Sequence, residues 1–257
     1  MGRFFLVLSL AATVACARGS GGQTGDAAPD THAPIDAAID GNGCASQPCT
    51  ILPQCGCGQT SACDVDTTDS VGTACRPVNV PGRETASCSG LDRCDKEYVC
   101  LGGATYATCK KYCIADGDCG TPRGRCAIDI SANGTAIAGI PSACSSNCNP
   151  LPTTPPAECP ANYKCSLFTA THNAAPVKIT DCNPAGSGTQ GAACGTTSGN
   201  DSLCAPGYMC TTLGSNFQCR RICNKSAGNT GCAGIGVGTC LGFTTPHTVD
   251  VEYGVCQ

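Results

Sequence analysis

The 27 cysteines of this 257-residue chain constrain its fold more than any other feature of the sequence. A content above one residue in ten is typical of a disulfide scaffold. Zinc ribbons and fingers use C-x2-C knuckles, which bring two thiolates to one ion, and this sequence contains no C-x2-C pair. We therefore expect paired cysteines, no structural zinc and no cofactor.

The remaining composition explains why covalent cross-links are needed. The chain has no Trp, and 33 Gly with 17 Pro leave few large side chains to bury. Alternating apolar residues flank Asn133-Gly134, a strong hairpin signal, and a similar alternation runs from Phe243 to Tyr253. These patterns predict a small disulfide-rich fold that is mostly irregular, with short β-hairpins clamped by the last two cysteines of each half.

An internal repeat governs the domain organisation. Eleven cysteines recur in order, with offsets of roughly one hundred residues that change only by small insertions. The first set is Cys57, Cys63, Cys75, Cys88, Cys94, Cys100, Cys109, Cys113, Cys119, Cys126 and Cys144. The second set is Cys159, Cys165, Cys182, Cys194, Cys204, Cys210, Cys219, Cys223, Cys232, Cys240 and Cys256.

Flanking residues repeat with the cysteines, since Lys110-Lys111 and Arg220-Arg221 occupy matching positions. Cys148 matches Cys49, which leaves Cys44 and Cys55 as an additional local pair. We predict two tandem homologous cysteine-rich modules, residues 44–146 and 147–257, each closing its disulfides internally. The sequence leaves the connectivity open.

Residues 1–17 have the pattern of a secretory leader, with Arg3 ahead of an apolar run that is too short to span a bilayer. Two ways of processing it remain open. Thr13-Val14-Ala15-Cys16 resembles a bacterial lipobox, although Thr13 stands where an aliphatic residue is usual, and it would make Cys16 the lipidation site. Ala15-Cys16-Ala17 also fits cleavage by an ordinary signal peptidase. Either route leaves 26 of the 27 cysteines, an even number.

Residues 18–43 contain no aromatic residue and are mostly Gly, Ala, Pro and Asp, which predicts a disordered tether. The net charge of −4 comes largely from this segment, and no basic face is visible that would bind nucleic acid or anionic lipid. We expect membrane contact through the lipid anchor alone.

The spacing C-x5-C-x8-C-x3-C-x5-C-x6-C from Cys94 to Cys126, behind this leader and tether, resembles the cysteine-rich predicted lipoproteins of myxobacteria and related bacteria. That resemblance implies export to the outer membrane or cell surface and supplies no activity. Locally, the segment from Cys109 to Cys119 is similar to the centre of whey-acidic-protein domains, some of which inhibit proteases. Adjacent cysteines that follow in that family are absent here, because Cys126 stands alone.

Catalytic signals are weak. The histidines are His32, His172 and His247, no G-x-S-x-G nucleophile elbow exists, and oxidised cysteines offer no thiolate. Calcium would favour the carboxylates of Asp64-Val-Asp66-Thr-Thr-Asp69 or Asp116-Gly-Asp118, but neither matches an EF-hand. A further set of residues, in the setting C-x3-Y-x-C, predicts either packing against a disulfide or a ligand-stacking row: Tyr98, Tyr163 and Tyr208.

These observations favour a non-catalytic, exported and lipid-anchored surface protein with a binding or structural role toward an unidentified protein or glycan. Two alternatives remain. One is a protease inhibitor that presents loops 127–143 and 241–255. The other is a secreted extracellular hydrolase that uses His172 or His247.

Overall fold

The computed structural model describes residues 49–66, 72–79, 82–88, 94–103, 106–132, 135–152, 158–212 and 216–257. The leader, the tether and Cys44 lie outside these ranges, and so does the predicted Cys44–Cys55 bridge, although Cys55 itself is disulfide-bonded. None of the helical segments within the described ranges has the length and apolar character needed to cross a bilayer.

Antiparallel strands make up most of the regular structure, which is therefore richer in strand than the mostly irregular fold that we predicted. In the described residues the helical segments are short 3-10 turns at 116–118, 201–203 and 225–232. The strands are β1 (Ser61–Val65), β2 (Thr73–Pro77), β3 (Tyr98–Gly103), β4 (Tyr106–Cys113), β5 (Cys126–Ile128), β6 (Ser131–Ala132), β7 (Thr135–Ala136), β8 (Ser142–Cys144), β9 (Tyr163–His172), β10 (Ala175–Pro184), β11 (Ala193–Gly195), β12 (Tyr208–Thr212), β13 (Phe217–Asn224), β14 (Cys240–Thr248) and β15 (Glu252–Cys256).

The two largest sheets have the same strand order. In the first half of the chain the order is β3-β4-β8-β5, and in the second half β12 pairs with β13, followed by β15 and β14. β11 adds an outer strand to the second sheet. The pairs β1-β2, β6-β7 and β9-β10 form two-stranded sheets. The hairpins expected around Asn133-Gly134 and at the end of each half are confirmed by the pairing of β6 with β7, β5 with β8, and β14 with β15.

The twelve bridges that the structure describes follow one rule. With Cys55 set aside, the described cysteines taken in chain order fall into six consecutive groups of four, and in each group the first bonds the third and the second bonds the fourth. We call these groups units 1 to 6. Their bonds are Cys49–Cys63 with Cys57–Cys75, Cys88–Cys100 with Cys94–Cys109, Cys113–Cys126 with Cys119–Cys144, Cys148–Cys165 with Cys159–Cys182, Cys194–Cys210 with Cys204–Cys219, and Cys223–Cys240 with Cys232–Cys256.

Each unit is built around an antiparallel strand pair. The third and fourth cysteines of every unit lie directly opposite each other across that pair, as Cys63 and Cys75 do in unit 1. Each of the two then bonds backwards to a cysteine that precedes the hairpin. The incoming chain is thereby fastened to both strands, so that a unit needs little apolar burial of its own.

A side-chain hydrogen bond recurs with the disulfides. The residue three positions before the second cysteine accepts the backbone N–H of the third cysteine in units 1, 3, 5 and 6. The acceptors are Gln54 (2.7 Å), Asp116 (2.8 Å), Asp201 (2.8 Å) and Asn229 (3.0 Å). The corresponding positions of units 2 and 4 lie outside the described residues. This bond satisfies a backbone donor at the start of the hairpin, where a buried N–H without an acceptor would be costly.

Apolar burial outside the disulfides is concentrated in two clusters, one in each half. Ile51, Val65, Val99, Tyr112 and Ile130 form the first. The second is centred on Ile222, Val249 and Tyr253. Most other buried apolar groups surround the sulfurs of a single unit.

A buried ion pair within unit 1 extends by hydrogen bonds to unit 2. Arg76 Nε lies 2.5 Å from Asp64 Oδ2, and these side chains are 9% and 1% exposed. The guanidinium also donates to the carbonyls of Cys94 and Tyr98, at 2.8 Å each, and Tyr112 donates its hydroxyl to Asp64. Burial raises the pKa of Asp64, while the bonds from Tyr112 and Arg76 act in the opposite direction.

We predict that Arg76→Met lowers the free energy of unfolding by about 3–5 kcal/mol, because it leaves the Asp64 carboxylate buried without its counter-ion. The matched control is Arg83→Met. Arg83 is 79% exposed and lies 3.3 Å from Asp95, so its loss is expected to cost less than about 1 kcal/mol. Denaturant unfolding with the disulfides intact measures both variants, and equal losses would contradict the assignment.

Candidate functional site

His247 is buried and held as a structural side chain. Its Nε2 lies 3.2 Å from the carbonyl oxygen of Ile179, and its ring packs edge-on against Phe243 and Tyr253. Only 6% of the residue is exposed. Burial lowers its pKa to about 4, so the imidazole is neutral near pH 7. A ring in this position does not reach a substrate.

His172 lies at the end of β9 and contacts the other half of the chain. Its Nδ1 is 2.6 Å from Asp129 Oδ1, and Ser142 donates its hydroxyl to the same carboxylate oxygen at 3.0 Å. Its Nε2 faces the side-chain amide of Asn173 at 2.9 Å. A Ser-His-Asp site needs the serine hydroxyl on the nitrogen that faces away from the carboxylate. Here the amide of Asn173 occupies that side, and Ser142 lies beside the carboxylate.

The hairpin tip that presents His172 is a two-residue turn. Asn173 and Ala174 both adopt positive φ, 50° and 61°, as a type I′ turn between twisted strands requires. The turn brings His172 to Asp129, so this pair fastens the β9-β10 hairpin to the first half. His32 lies outside the described residues.

Three of the carboxylates considered for calcium are hydrogen-bonded within the fold, and Asp69 lies outside the described residues. Asp118 accepts the backbone N–H groups of Ile114 (2.8 Å) and Ala115 (3.1 Å), which lowers its pKa. Asp116 accepts the N–H of Cys126, and Asp64 belongs to the ion pair with Arg76. The carboxylates of Asp116 and Asp118 therefore stabilise turns, and that of Asp64 stabilises the contact between unit 1 and unit 2.

Sulfurs of neighbouring bridges lie close together. Within several units, three cysteine sulfurs lie within 4.8 Å of one another, a separation that could hold a metal ion if the thiols were reduced. The same sulfurs are bonded in pairs, so no thiolate is available as a ligand or nucleophile.

The three tyrosines of the C-x3-Y-x-C setting lie against disulfides. Tyr98 packs on the cysteines of unit 2, Tyr163 on those of unit 4 and Tyr208 on those of unit 5. Each tyrosine stands two residues before the third cysteine of its unit. The structure therefore distributes these rings over three units and does not assemble them into one stacking row.

Loops 127–143 and 241–255 direct much of their apolar surface inward. Ile130 is buried, and Ile128, Ile137 and Ile140 pack against the first core cluster. In the second loop Val249, Tyr253 and Val255 are buried. By contrast, Ile114 is 79% exposed, beside a shallow cavity of about 270 Å³ lined by Leu52, Pro53, Glu97, Lys111, Tyr112, Ile114 and Asp118.

Charged side chains make several of the contacts between the two halves. Lys110, only 4% exposed, reaches the Asp181 carboxylate and donates to Ser146 Oγ at 2.7 Å. Arg123 lies 2.9 Å from Asp250, and Arg125 donates to the Val249 carbonyl at 2.7 Å. Within the second half, Lys164 pairs with Asp201 at 2.9 Å, and burial lowers the pKa of Lys164.

Sequence reasoning missed these contacts. The Lys110-Lys111 doublet was visible as a repeat marker, but its acidic partner lies 71 residues further along the chain. No local feature of the sequence distinguishes this buried lysine from a solvent-exposed one.

No protein family, curated protein or solved structure matches this chain.

Protonation of His247 should destabilise the fold. Its pKa is 6.5 in an ordinary setting and about 4 here, so between these values the unfolded chain binds the additional proton. Stability is full above pH 6.5 and falls as the pH drops to 4, by about 3 kcal/mol in total. NMR titration of the His247 ring should give a pKa near 4. A His247→Phe variant should lack this component of the acid sensitivity, and a His247 pKa of 6 or above would contradict the prediction.

Proposed function

We propose that this protein is a non-catalytic, exported scaffold of two tandem cysteine-rich modules, anchored to the outer membrane or cell surface through a lipid on Cys16. The modules comprise residues 44–146 and 147–257, and residues 18–43 connect them to the anchor. The scaffold presents a rigid surface to a protein or glycan outside the cell. The activity is binding or structural support.

The correspondence between bridges carries the proposal. Every described disulfide of units 1 to 3 has a counterpart in units 4 to 6 at the matching cysteines. Backbone hydrogen bonds correspond as well. Cys109 N donates to Ala86 O and Cys219 N to Ala192 O, both at 2.8 Å. Duplication of one module accounts for both sets of bonds.

The density of disulfides also supports a location outside the cell. Thirteen pairs would use the 26 cysteines that remain without Cys16, and such density persists only in oxidising compartments. Interlaced bridges at intervals of 12 to 25 residues make the folded part resistant to local opening. Resistance of this kind suits a protein exposed to extracellular proteases.

The histidines favour binding over catalysis. His247 is buried, and the free side of His172 is covered by Asn173. A hydrolase that used either histidine would need a ring nitrogen open to a substrate and a nucleophile beside it. The inward packing of Ile130 and Tyr253 likewise gives the inhibitor alternative little exposed apolar surface in its two loops.

Protease treatment of intact cells tests the anchor and the scaffold together. A broad-specificity protease under non-reducing conditions should cut between residues 18 and 43 and release a fragment. Reduction of the disulfides after the digestion should leave that fragment as a single chain, which would show that the protease made no cuts inside it. A Cys16→Ser variant should be recovered in the medium without protease, with the same resistant fragment. Wild-type protein that is soluble and unacylated would contradict the anchor, and early cuts throughout residues 49–257 would contradict the scaffold.

A further inference from the structure

Lys164 and Asn183 lie side by side at the base of the β9-β10 hairpin. They face each other directly in the strand register, next to the opposed cysteines Cys165 and Cys182. Residues that are directly opposed in an antiparallel pair point to the same face, with their Cβ atoms about 5 Å apart. Both side chains are buried. The amine of a lysine and the side-chain amide of an asparagine are thereby held together away from bulk water.

The carboxylate of Asp201 contacts both of these groups through one oxygen atom. Its Oδ2 lies 2.9 Å from Lys164 Nζ and accepts a hydrogen bond from Asn183 Nδ2 at 3.2 Å. The carbonyl oxygen of Tyr208 accepts a further hydrogen from Nζ at 2.6 Å. Burial lowers the pKa of Lys164, although the charge of Asp201 acts in the opposite direction, and the lower pKa favours the neutral, nucleophilic amine. A nucleophile, a carboxamide and a carrier of protons therefore meet at one point.

We propose that Lys164 and Asn183 react with each other to form an intramolecular amide bond, with Asp201 as the carrier of protons. The Nζ–Cγ bond forms, and the bond between Cγ and Nδ2 of Asn183 breaks. Nζ loses two protons and Nδ2 gains two, and Asp201 transfers them because its Oδ2 contacts both nitrogens. The nitrogen of Asn183 leaves as ammonium, so the reaction needs no oxidant and no further reactant. The one hydrogen that stays on Nζ still has the carbonyl of Tyr208 as its acceptor.

This amide supplies a connection that the described disulfides do not. Cys165 and Cys182 face each other across the hairpin, but each bonds to an earlier cysteine, so no described disulfide joins β9 directly to β10. A bond between Lys164 and Asn183 joins the two strands beside these cysteines. Because it is an amide, it persists when the disulfides are reduced.

The first half of the chain has no counterpart of this pair. The matching positions, before the third cysteine and after the fourth cysteine of unit 1, are Ala62 and Arg76. They also face each other across their hairpin, but they offer neither an amine nor a carboxamide. The modification is therefore specific to the second half.

Tryptic digestion of the full-length native protein, after denaturation, reduction and alkylation, tests the bond. Lys178 lies between the two residues in the chain, so trypsin separates β9 from β10 unless the amide holds them together. The wild-type protein should yield one linked species that contains both Lys164 and Asn183, without cleavage after Lys164. Its mass should be about 17 Da less than that of the two peptides it joins, because ammonia has been lost.

Three variants identify the reacting groups. Asn183→Ala keeps the ion pair between Lys164 and Asp201, so it should fold, with a well-dispersed NMR spectrum, and give no linked species. Asp201→Asn should slow formation of the link by about a hundredfold or more, because the carrier of protons is lost. The matched control is Asn173→Ala, which removes an exposed asparagine at the tip of the same hairpin and should leave the linked fraction unchanged.

A wild-type digest in which the two peptides run separately, with Lys164 cleaved, would overturn the proposal, and this digest decides it even if Asp201→Asn does not fold. Loss of ammonia from a peptide without a link would also overturn it, because ring closure at Asn133-Gly134 releases ammonia as well. An unchanged linked fraction in folded Asp201→Asn would overturn the assignment of Asp201. The readout is a covalent bond within the chain, so it is independent of the anchor and of any binding partner.

Discussion

Two interlaced disulfides in each group of four cysteines supply the constraint from which the rest of the structure follows. A chain with no Trp and 50 Gly and Pro residues, 33 and 17 respectively, cannot bury enough apolar surface to order itself. Each pair of bridges fastens a hairpin to the segment before it, so that ordering is achieved locally, unit by unit. The apolar residues are then needed only where units meet, at the clusters around Tyr112 and Ile222.

Between units, buried ion pairs do what a larger core does in other proteins. Lys110 with Asp181 and Lys164 with Asp201 each link one four-cysteine unit to another. Arg76 pairs with Asp64 inside unit 1 and reaches unit 2 by donating to its backbone carbonyls. Arg76 and Lys164 even reach equivalent carbonyls, those of Tyr98 and Tyr208, from different strands of their hairpins. Hydrogen bonds to such carbonyls help to offset the cost of removing these charges from water. The result is an array in which covalent bonds act within units and charges act between them.

The cysteine content was sufficient to predict the disulfide-rich class, and the alternating apolar residues were sufficient to predict the hairpins that end each half. Cysteine spacing was insufficient for the four-cysteine unit, because the distance between the second and third cysteines varies from 6 residues in unit 1 to 8 in unit 6 and the hairpin lengths vary more. The sequence analysis also underestimated the strands, since β9 and β10 run for ten residues each in a segment where no hairpin was predicted. The ion pairs join residues far apart in the chain, so no local pattern indicates them.

The central claim is that the sulfurs are bonded first to third and second to fourth in every unit. Non-reducing peptide mapping by mass spectrometry of the native protein, after blocking of free thiols, tests it directly. The account predicts no blocked thiol among Cys49 to Cys256 and cross-linked peptides such as Cys113 with Cys126 and Cys119 with Cys144. Several blocked thiols, or bridges that cross from one unit into another, would contradict it.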